Sequence, residues 1–482
     1  TKNGCVTDVD GNFSLEVTPN SSIKVSFIGY KSQTIAIKAE QKVYNVILQS
    51  DNVLIDELVV VGYGVKKKQT LTGAVSAVNT KDIVSTKNES LQNMLTGKIA
   101  GLRVVQNSSE PGAFNTSMDI RGLGNPLVII DGIPRDNMAR VDPEDVESIS
   151  VLKDASASIY GVRAANGVIL VTTKQGHTGK AEISYDGYYG VQNVYRMPDV
   201  LNAQEFAMIM SEARMMDGLP DYDYASLVPD WEAIKNGTWK GTNWLDESRN
   251  ENAPIQNHAL NITGGTEQSV YSIGLAYTNQ EGILGAPSQP EYTRYTARIN
   301  SEHTLYRKGK LQFSNKLTVN LSNSGDPVVN FSTYAAANPY YEKRVDGQVE
   351  KWLEYVEDYI EAPNPLWNAS LNSRSLKRSL GITDNFAVEY NPFQSLKLRG
   401  RIGITRTTSE TDDFISPEDT RFEDTEELKK GSLTYSNTKS FNYDGEFSAI
   451  YGTIFAERHR LNVVGGASFS NSQSERNGYS VI

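Results

Sequence analysis

The chain has 482 residues, a formal net charge of -11 at pH 7 and 39% hydrophobic residues. This acidic balance argues against nucleic acid as a partner, and no apolar run reaches the roughly 18 residues that a membrane helix needs, whereas the alternating strands of a transmembrane barrel remain compatible. A single cysteine, Cys5, excludes an intrachain disulfide and a cysteine-based metal cluster.

Residues 1–50 are predicted to form a small β-sandwich domain. In "CVTDVDGNFSLEV", Asp10-Gly11 supplies a hairpin turn, and the apolar residues Phe13, Leu15 and Val17 alternate after it. The alternation continues in "IKVSFIGYKSQTIAI". Because the first strand of the hairpin starts abruptly, we expect this domain to be truncated at its start.

The segment "DELVVVGYG", from Asp56 to Gly64, is a β-prone run between the polar stretches "QSDNV" and "VKKKQT". No neighbouring segment resembles a partner strand. An unpaired run of this kind promotes aggregation unless another strand pairs with it. The segment is therefore either an edge strand of an adjacent domain or a strand that a partner protein captures.

Residues 66–178 have mixed α and β character and are predicted to form a compact domain with its own core. The stretch "ESLQNMLTGKIAGLRV" predicts a short helix capped between Asn88 and Ser90. The stretches "NPLVIIDGIP" and "ANGVILVTTKQG" predict buried strands. The stretch "DPEDVESISVL" predicts a helix start, with Asp142 as N-cap and Pro143 at the first helical position.

From residue 179 onwards, about nine segments of roughly ten residues alternate between apolar and polar positions. In "SVYSIGLAYTN", Tyr271, Ile273, Leu275 and Tyr277 share one face, and "LQFSNKLTVNL" and "LKLRGRIGI" repeat the pattern. Such strands suit an antiparallel barrel with lipid outside and a polar lumen inside. A soluble sandwich would alternate as well, so the periodicity alone does not decide.

The connections between these strands favour the barrel. Long or medium links are predicted after 181–191, at 279–291, at 323–378 and at 408–437. Short links are predicted at "GGTEQS", "LYRKGK", "NPFQS" and "TIFAERH". Long and short links therefore alternate along the region, as they do when one rim of an outer-membrane barrel faces the periplasm and the other the exterior.

At this point the motifs resemble a known family. The stretches "DELVVVGYG", "LTGKIAGLRV", "DIRGLGNPLVIIDGIP" and "VESISVLKDASASIYGVRAANGVILVTTKQG" occur in the order found in SusC/RagA-type TonB-dependent outer-membrane transporters of Bacteroidetes. The stretches "VTDVDGNFSL" and "VSFIGYKSQ" resemble the carboxypeptidase-regulatory-like domain that precedes the plug in this family. The likeness covers the N-terminal half of such a transporter, whose full barrel has about 22 strands.

The resemblance implies a fold, a location and partners. Residues 51–65 would carry the TonB box, 66–178 the plug, and 179–482 the first part of the barrel with long extracellular loops. Asp56, Glu57, Leu58, Val59, Val60 and Val61 would bind periplasmic TonB by strand addition. Import of an oligosaccharide or a peptide across the outer membrane, under a SusD-like lipoprotein lid, is the implied function.

Aromatic residues mark the two longest predicted loops, on the rim assigned to the outside. All five tryptophans lie there, accompanied by tyrosines; the candidates are Trp231, Trp239, Trp244, Tyr340, Tyr341, Trp352 and Trp367. Three interpretations remain open: a platform for substrate, a contact with the lid, and internal packing of the loops. The nearby "EFAMIMSEARMM" predicts a loop-packing helix with Asn202 as cap and Phe206, Ile209, Met210 and Ala213 on its buried face.

No enzyme, cofactor or metal is predicted. The four histidines, His177, His258, His303 and His459, lack metal-ligand spacing, and neither a nucleophile elbow nor a P-loop occurs. Two other non-enzymatic functions stay open: an outer-membrane signalling receptor that only senses its ligand, and a surface glycan-binding protein without transport.

Overall fold

A computed structural model of the chain divides into two compact units, Thr1–Thr72 and Gly73–Ile482. In the first unit the structure describes residues 4–5, 7, 13–18, 21–25, 33–37, 43–46, 58–61 and 64–67. In the second unit it describes 75–83, 90–108, 110–112, 116–135, 137–138, 141–153, 157, 160–228, 230–285, 290–305, 311–344, 347–353, 362–393, 395–455 and 459–482.

The first unit contains two short antiparallel pairs of strands. β1 (Ser22–Val25) pairs with β2 (Gln33–Ala36), and β3 (Leu58–Val61) pairs with β4 (Gly64–Lys67). The strand predicted at Phe13 to Val17 is wrong, because residues 13–18 form no ladder there and alternation without a pairing neighbour does not make a strand. The predicted Asp10-Gly11 turn lies outside the described residues.

The second unit opens with a small α+β module, called the plug below and comprising 75–173. Its elements are β5 (Val75–Asn79), α1 (Thr80–Ile83), α2 (Leu91–Met94), β6 (Leu102–Gln106), β7 (Thr116–Ile120), β8 (Leu127–Ile130), β9 (Ile133–Arg135), β10 (Val146–Leu152) and β11 (Val168–Thr173). Two single turns of 3-10 helix, Pro143–Asp145 and Val162–Ala164, precede β10 and β11.

Five of these strands form the sheet of the plug, in the order β5-β10-β11-β8-β9, and β11 runs parallel to β8. The predicted caps are confirmed, since the Ser90 side chain accepts from the backbone of Asn93 and that of Asp142 from the backbone of Glu144. The helix predicted after Asp142 is a single turn only, because the β-branched, apolar run from Val146 pairs into the sheet.

The core of the plug is apolar. It contains fully buried side chains from the sheet and from the short helices, among them Ile83, Leu91, Ile120, Ile149 and Ile169. Because this cluster is closed within the module, the plug has a hydrophobic core of its own, as predicted.

The rest of the second unit is one antiparallel meander with inserted loop elements. The elements in chain order are β12 (Gly179–Gln192), α3 (Ala203–Met216), α4 (Tyr224–Leu227), α5 (Trp231–Lys235), α6 (Trp244–Glu247), β13 (Ala253–Gly265), β14 (Ser269–Glu281), β15 (Glu291–Thr304), β16 (Leu311–Asp326), α7 (Phe331–Ala335), β17 (Trp352–Leu353), β18 (Ala362–Pro363), α8 (Pro365–Ser370), β19 (Arg374–Phe393), β20 (Leu396–Ile415), β21 (Ser432–Phe455) and β22 (His459–Val481). Among the described residues, no helix is long and apolar enough to cross a membrane.

The large sheet has nine strands in the order β12-β13-β14-β15-β16-β19-β20-β21-β22, which confirms the predicted number and the barrel architecture. Links alternate between long (193–252, 327–373) and short (266–268, 394–395), which also matches the prediction. The strands are longer than the predicted ten residues, and the acidic loop predicted at 408–437 shrinks to 416–431 because β20 and β21 continue into it.

The two faces of this sheet differ in chemistry. The outer face exposes large apolar side chains, including Leu275 (49% exposed), Ile299, Leu380, Ile402 and Phe447. The inner face buries polar side chains against the plug, namely Asn261, Ser272, Arg294, Arg298, Asn300, Asn385 and Arg401. This arrangement is the reverse of a soluble sandwich and fits strands with lipid outside and a filled lumen inside.

Candidate functional site

The predicted capture segment is only partly described. Asp56 and Glu57 lie outside the described residues, while Leu58 to Val61 form β3. The expectation that no neighbouring segment pairs with it is wrong, because β4 follows directly and pairs Leu58 with Lys67 and Val61 with Gly64. Within the described part of the chain, β3 pairs along one edge only, with β4.

Two buried ion pairs join the plug to the inner face of β15. An Arg294 Nη2 atom lies 3.4 Å from Asp142 Oδ2, and both side chains are 1% exposed. An Arg298 Nη2 atom lies 2.9 Å from Asp145 Oδ1, again with both side chains buried. Asp142 caps one 3-10 turn and Asp145 ends it, while both arginines point inward from one strand. The turn is therefore held to the wall at two points.

Hydrogen bonds extend this contact to the end of β11. Asn300 Nδ2 donates to Thr173 Oγ1 (2.9 Å) and to the Lys174 carbonyl oxygen (3.0 Å). Arg298 Nη1 donates to the same carbonyl at 3.1 Å. The polar inner face of β15 therefore satisfies both charged and backbone groups of the plug.

A third ion pair links the plug to β16. Lys316 Nζ lies 2.8 Å from Asp131 Oδ1, and Thr173 Oγ1 donates to the other carboxylate oxygen at 2.7 Å. Burial by itself would raise the pKa of Asp131. The positive charge of Lys316, its hydrogen bond and the hydrogen bonds from Thr173 together outweigh burial, so the pKa lies below its usual range. Arg294–Asp142, Arg298–Asp145 and Lys316–Asp131 are called the anchor pairs below.

A glycine makes room for one of the anchor pairs. A Cβ atom at Gly274 on the inner face of β14 would lie 2.6 Å from Asp145 Oδ1 and 3.2 Å from Arg298 Nη2. Any larger residue would push the carboxylate away from its partner. The absence of a side chain at Gly274 is therefore part of how the plug is held.

The anchored region borders an open cavity of about 590 Å³ between plug and wall, and Asp142, Asp145, Arg298 and Lys316 help to line it. On the plug side the cavity is lined by residues of β8, β9 and the 3-10 turn, including Asp131 and Arg135. On the wall side it is lined by β15, β16 and β19–β22. Arg135 hydrogen-bonds to Thr405 at its margin, and Asn385 Nδ2 donates to the Asp131 carbonyl oxygen at 2.9 Å.

The predicted aromatic candidates come together in one apolar cluster formed by the two longest loops. The loop cluster consists of Ala203, Ala207, Tyr224, Val228, Ile234, Trp244, Leu245, Val329, Tyr334, Tyr340, Tyr341, Leu353, Leu366 and Ala369. Trp231 and Trp239 pack against it and remain partly exposed. Trp244, Tyr340 and Tyr341 are buried, so in this structure they pack the loops together.

Polar and ring contacts fix the geometry of the loop cluster. Trp244 Nε1 donates to the Asn338 carbonyl oxygen at 2.8 Å, and the rings of Tyr224 and Trp231 stack with centroids 4.7 Å apart. Trp352 lies in its predicted loop but on a two-residue strand, β17, which pairs with β18 in a loop ladder and not with the barrel.

The remaining candidate tryptophan and the predicted loop helix are only partly buried. Trp367 keeps part of its ring exposed while Nε1 donates to the Glu418 carbonyl oxygen. Asn202 caps α3 through a capping box, as predicted. The predicted buried face is wrong at Ile209, which is 50% exposed, and at Ala213, which is also exposed, because the neighbouring loops contact the side of the helix that carries Ala203 and Ala207.

The residues that join plug and wall were not singled out as site residues from the sequence. Asp131, Asp142 and Asp145 are separated from their cationic partners by more than 150 positions along the chain. The available signal was a charged residue at a polar-face position of an alternating strand, as at Lys316. In the described part of the chain, no group of three or more His, Cys, Asp or Glu residues is arranged to hold a metal ion.

Two protein-family models match the chain. Residues 67–168 match the TonB-dependent Receptor Plug Domain, and residues 1–60 match the CarboxypepD_reg-like domain.

Curated relatives match over the whole chain or much of it. TonB-dependent receptor P26 of Formosa agariphila is 30% identical over 489 residues, which cover 98% of this chain and 47% of the relative. TonB-dependent receptor SusC of Bacteroides thetaiotaomicron is 37% identical over 317 residues, covering 62% of this chain and 29% of SusC. The chain spans about half the length of P26 and less of SusC.

Among solved structures, the RagAB peptide importer in its open-open state superposes with a TM-score of 0.73 at 21% identity. The match covers 88% of this chain and 50% of that chain, and at this identity it supports the fold alone.

Proposed function

Because this chain belongs to the SusC/RagA-type TonB-dependent receptors of the outer membrane, we propose that the whole protein imports a large nutrient with energy supplied through TonB. An oligosaccharide is the first candidate for the nutrient and a peptide the second. A SusD-like surface lipoprotein is the proposed partner on the extracellular side. The assignment is to a transporter and not to an enzyme.

One observation carries this proposal. A module with its own apolar core lies against the polar inner face of nine strands whose outer face exposes apolar side chains. A lumen closed by a separate, polar-anchored module is suited to gated passage, because the module can shift while the wall stays closed by its ladder hydrogen bonds.

We propose that TonB captures Asp56 to Val61 by adding a strand. Main-chain hydrogen bonds along the edge of β3 that faces away from β4 would supply affinity, and the alternation of Leu58 to Val61 would set the register. The proposed domains are 1–50 for the carboxypeptidase-regulatory-like domain, 51–65 for the TonB box and linker, 66–178 for the plug and 179–482 for the barrel part.

The loop aromatics are proposed to serve the extracellular side in two ways. The buried Trp244, Tyr340 and Tyr341 would hold the loops in shape, and the partly exposed Trp231, Trp239, Trp352 and Trp367 would contact substrate or lid. Exposed aromatic surface stacks on sugar rings and also anchors protein interfaces, so both contacts use the same chemistry.

Deletion of residues 56–61 from the full-length receptor tests the coupling role. Uptake and binding of a panel of neutral oligosaccharides and peptides are measured in cells and with purified protein. We expect uptake to be lost and binding to be kept. Uptake that survives the deletion would refute the coupling role.

A matched pair of proline substitutions sharpens this test. Val60→Pro removes a backbone N–H from β3, and Val65→Pro does the same in the neighbouring β4. If TonB pairs with β3, Val60→Pro lowers uptake much more than Val65→Pro. Equal losses would mean that the hairpin, and not the β3 strand alone, is needed.

A further inference from the structure

Three cations border the apolar band on the outer face of β19, β20 and β21. Toward the loops 327–373 and 416–431, the first residue beyond the band is Arg378 on β19, Arg406 on β20 and Lys439 on β21. All three side chains are exposed. The outer face therefore changes from apolar to positively charged at this border. The band itself consists here of side chains that are 38–52% exposed, namely Leu380, Ile382, Ile402, Ile404 and Phe441.

The register of the ladder brings two of these cations together. Thr408 pairs with Lys439, and Arg406 pairs with Phe441 two positions further along the strands. Diagonal neighbours on one face of an antiparallel pair lie about 7–8 Å apart, which long side chains bridge. Arg406 and Lys439 can therefore both donate to one anion between them, and Thr408 adds a hydroxyl donor on the same face.

The carboxylates around these cations are engaged elsewhere. Each of the three nearest ones accepts a hydrogen bond from an asparagine amide. These bonds run from Asn315 to Asp384 (2.7 Å), from Asn437 to Glu410 (3.2 Å) and from Asn477 to Glu475 (2.9 Å). Within the described residues, no carboxylate lies at ion-pair distance from Arg378, Arg406 or Lys439. The cations therefore lack a counter-ion in the sheet, although negative charge stands close by.

The order of chemical groups along β20 points to the kind of ligand. Successive outward residues lie about 7 Å apart and are Ile404, Arg406, Thr408 and Glu410. Read away from the band, they are apolar, positive, hydroxyl-bearing and negative. A phospholipid with an amine in its headgroup presents the complementary series: acyl chain, phosphate, ammonium.

From this order we propose that the outer face of β19–β21 binds a phosphatidylethanolamine-type lipid. Its phosphate lies between Arg406, Thr408 and Lys439, its ammonium meets Glu410, and its acyl chains lie along the apolar band. The inference goes beyond the proposed import and does not depend on it.

The mixture of charges selects this headgroup over others. Arginine and lysine donate charge-assisted hydrogen bonds to phosphate oxygens, and their long stems lie along apolar surface while the charged ends reach the headgroup level. Glu410 repels a headgroup that carries negative charge alone and accepts from an ammonium N–H. A lipid held here ties to the membrane the strands that carry the loops 327–373 and 416–431.

Lipid binding to the full-length receptor in detergent tests the proposal. Apparent affinities are measured by native mass spectrometry during titration with phosphatidylethanolamine, phosphatidylcholine or phosphatidylglycerol that carry the same acyl chains. The choline headgroup keeps the positive charge but has no N–H donor, and the glycerol headgroup has no positive charge. Phosphatidylethanolamine should bind at least about five-fold more tightly than either of the others.

Two arginines on the outer face provide a matched pair of variants. Arg406→Gln should weaken phosphatidylethanolamine binding about five-fold, the effect of one cation at a lipid headgroup. Arg374→Gln is the control, because Arg374 is already paired with Asp412 at 3.2 Å, and its affinity should stay within about two-fold. Glu410→Gln should remove the preference for phosphatidylethanolamine and strengthen the binding of phosphatidylglycerol.

Other outcomes overturn the inference. Equal affinities for the three lipids, or equal losses in Arg406→Gln and Arg374→Gln, would mean that no such site exists on these strands. A preference that survives Glu410→Gln would overturn the role of the carboxylate. Soluble glycerophosphoethanolamine should bind far more weakly than the lipid, and equal binding would show that the apolar band contributes nothing. Circular dichroism confirms that the variants are folded. Because no transport is measured, failure of the lipid site leaves the proposed import untouched.

Discussion

Replacing Arg298 by methionine tests the anchor pairs directly. Methionine keeps much of the apolar stem of the arginine but removes the charge, so the Asp145 carboxylate stays buried without its partner 2.9 Å away. The hydrogen bond to the Lys174 carbonyl oxygen is lost as well. We expect the plug to detach more often from the inner face of the barrel.

The size of the effect follows from the burial of the pair. Removing one partner of a buried ion pair costs about 3–5 kcal/mol, because the remaining charge is neither solvated nor paired. At about 1.4 kcal/mol per factor of ten, this corresponds to an opening equilibrium that rises roughly 150-fold to 4,000-fold. The free energy of plug opening is the quantity that changes, whereas the ladder of the barrel is untouched.

Native-state hydrogen exchange of the full-length receptor in detergent measures this opening. The probes are backbone amides of β10 and β11, which lie at the centre of the plug sheet. Arg374→Met is the matched control, because Arg374 on β19 pairs with Asp412 on β20 at 3.2 Å, but the two side chains keep 44% and 38% of their surface exposed. An exposed pair contributes about 0–1 kcal/mol, so exchange in the control should change little.

A second substitution separates charge from packing. In the double variant Arg298→Met with Asp145→Asn, the buried carboxylate is gone, and most of the lost protection should return. If Arg298→Met raises exchange no more than Arg374→Met, the pair does not hold the plug and the reasoning is wrong.

Three further outcomes are expected. Gly274→Ala places a Cβ 2.6 Å from Asp145 Oδ1 and should weaken plug protection by about 1–3 kcal/mol in the same exchange assay, and unchanged protection would contradict the close packing. Because the pKa of Asp131 is lowered in the folded protein, its stabilisation is complete above an unfolded-state pKa of about 3.9 and is lost as the pH falls through the lower folded value. Exchange of β8 amides, corrected for intrinsic rates, should therefore rise in that window, and less so in Asp131→Asn. Trp244→Phe removes the donor to the Asn338 carbonyl oxygen and should lower the stability of the loop cluster by about 1 kcal/mol, measured as faster proteolysis of the loops than in a Trp367→Phe control.

The faces of the barrel were predictable because lipid and lumen impose a period of two. Leu275, Ile402 and their equivalents alternate with polar residues wherever one face meets lipid and the other the plug. The ends of β20 and β21 were not predictable, because the prediction depends on that alternation. Thr408 to Ile415 carry little apolar alternation although they still form ladder hydrogen bonds.

The contacts of the plug show where sequence reasoning stops. Asp142 was identified as an N-cap from local spacing, and its Oδ1 does accept from the Glu144 backbone at 3.0 Å. Its other oxygen meets Arg294, 152 positions away, and no local pattern specifies that partner. A capping residue with one free carboxylate oxygen is a candidate for a second, tertiary contact, but the identity of the cation depends on how two modules are placed in space.

The loop aromatics illustrate a different limit. Tryptophan and tyrosine stabilise a loop cluster and a binding surface through the same apolar area and the same polar tip, so composition cannot separate the two roles. Burial separates them: Tyr340 is fully buried, and the Trp244 donor is taken by Asn338. Trp231 stacks on Tyr224 with one side of its ring and keeps the rest exposed. A ring held in place from one side is pre-organised for a contact on the other, which makes Trp231 a sharper substrate or lid candidate than the buried Trp244.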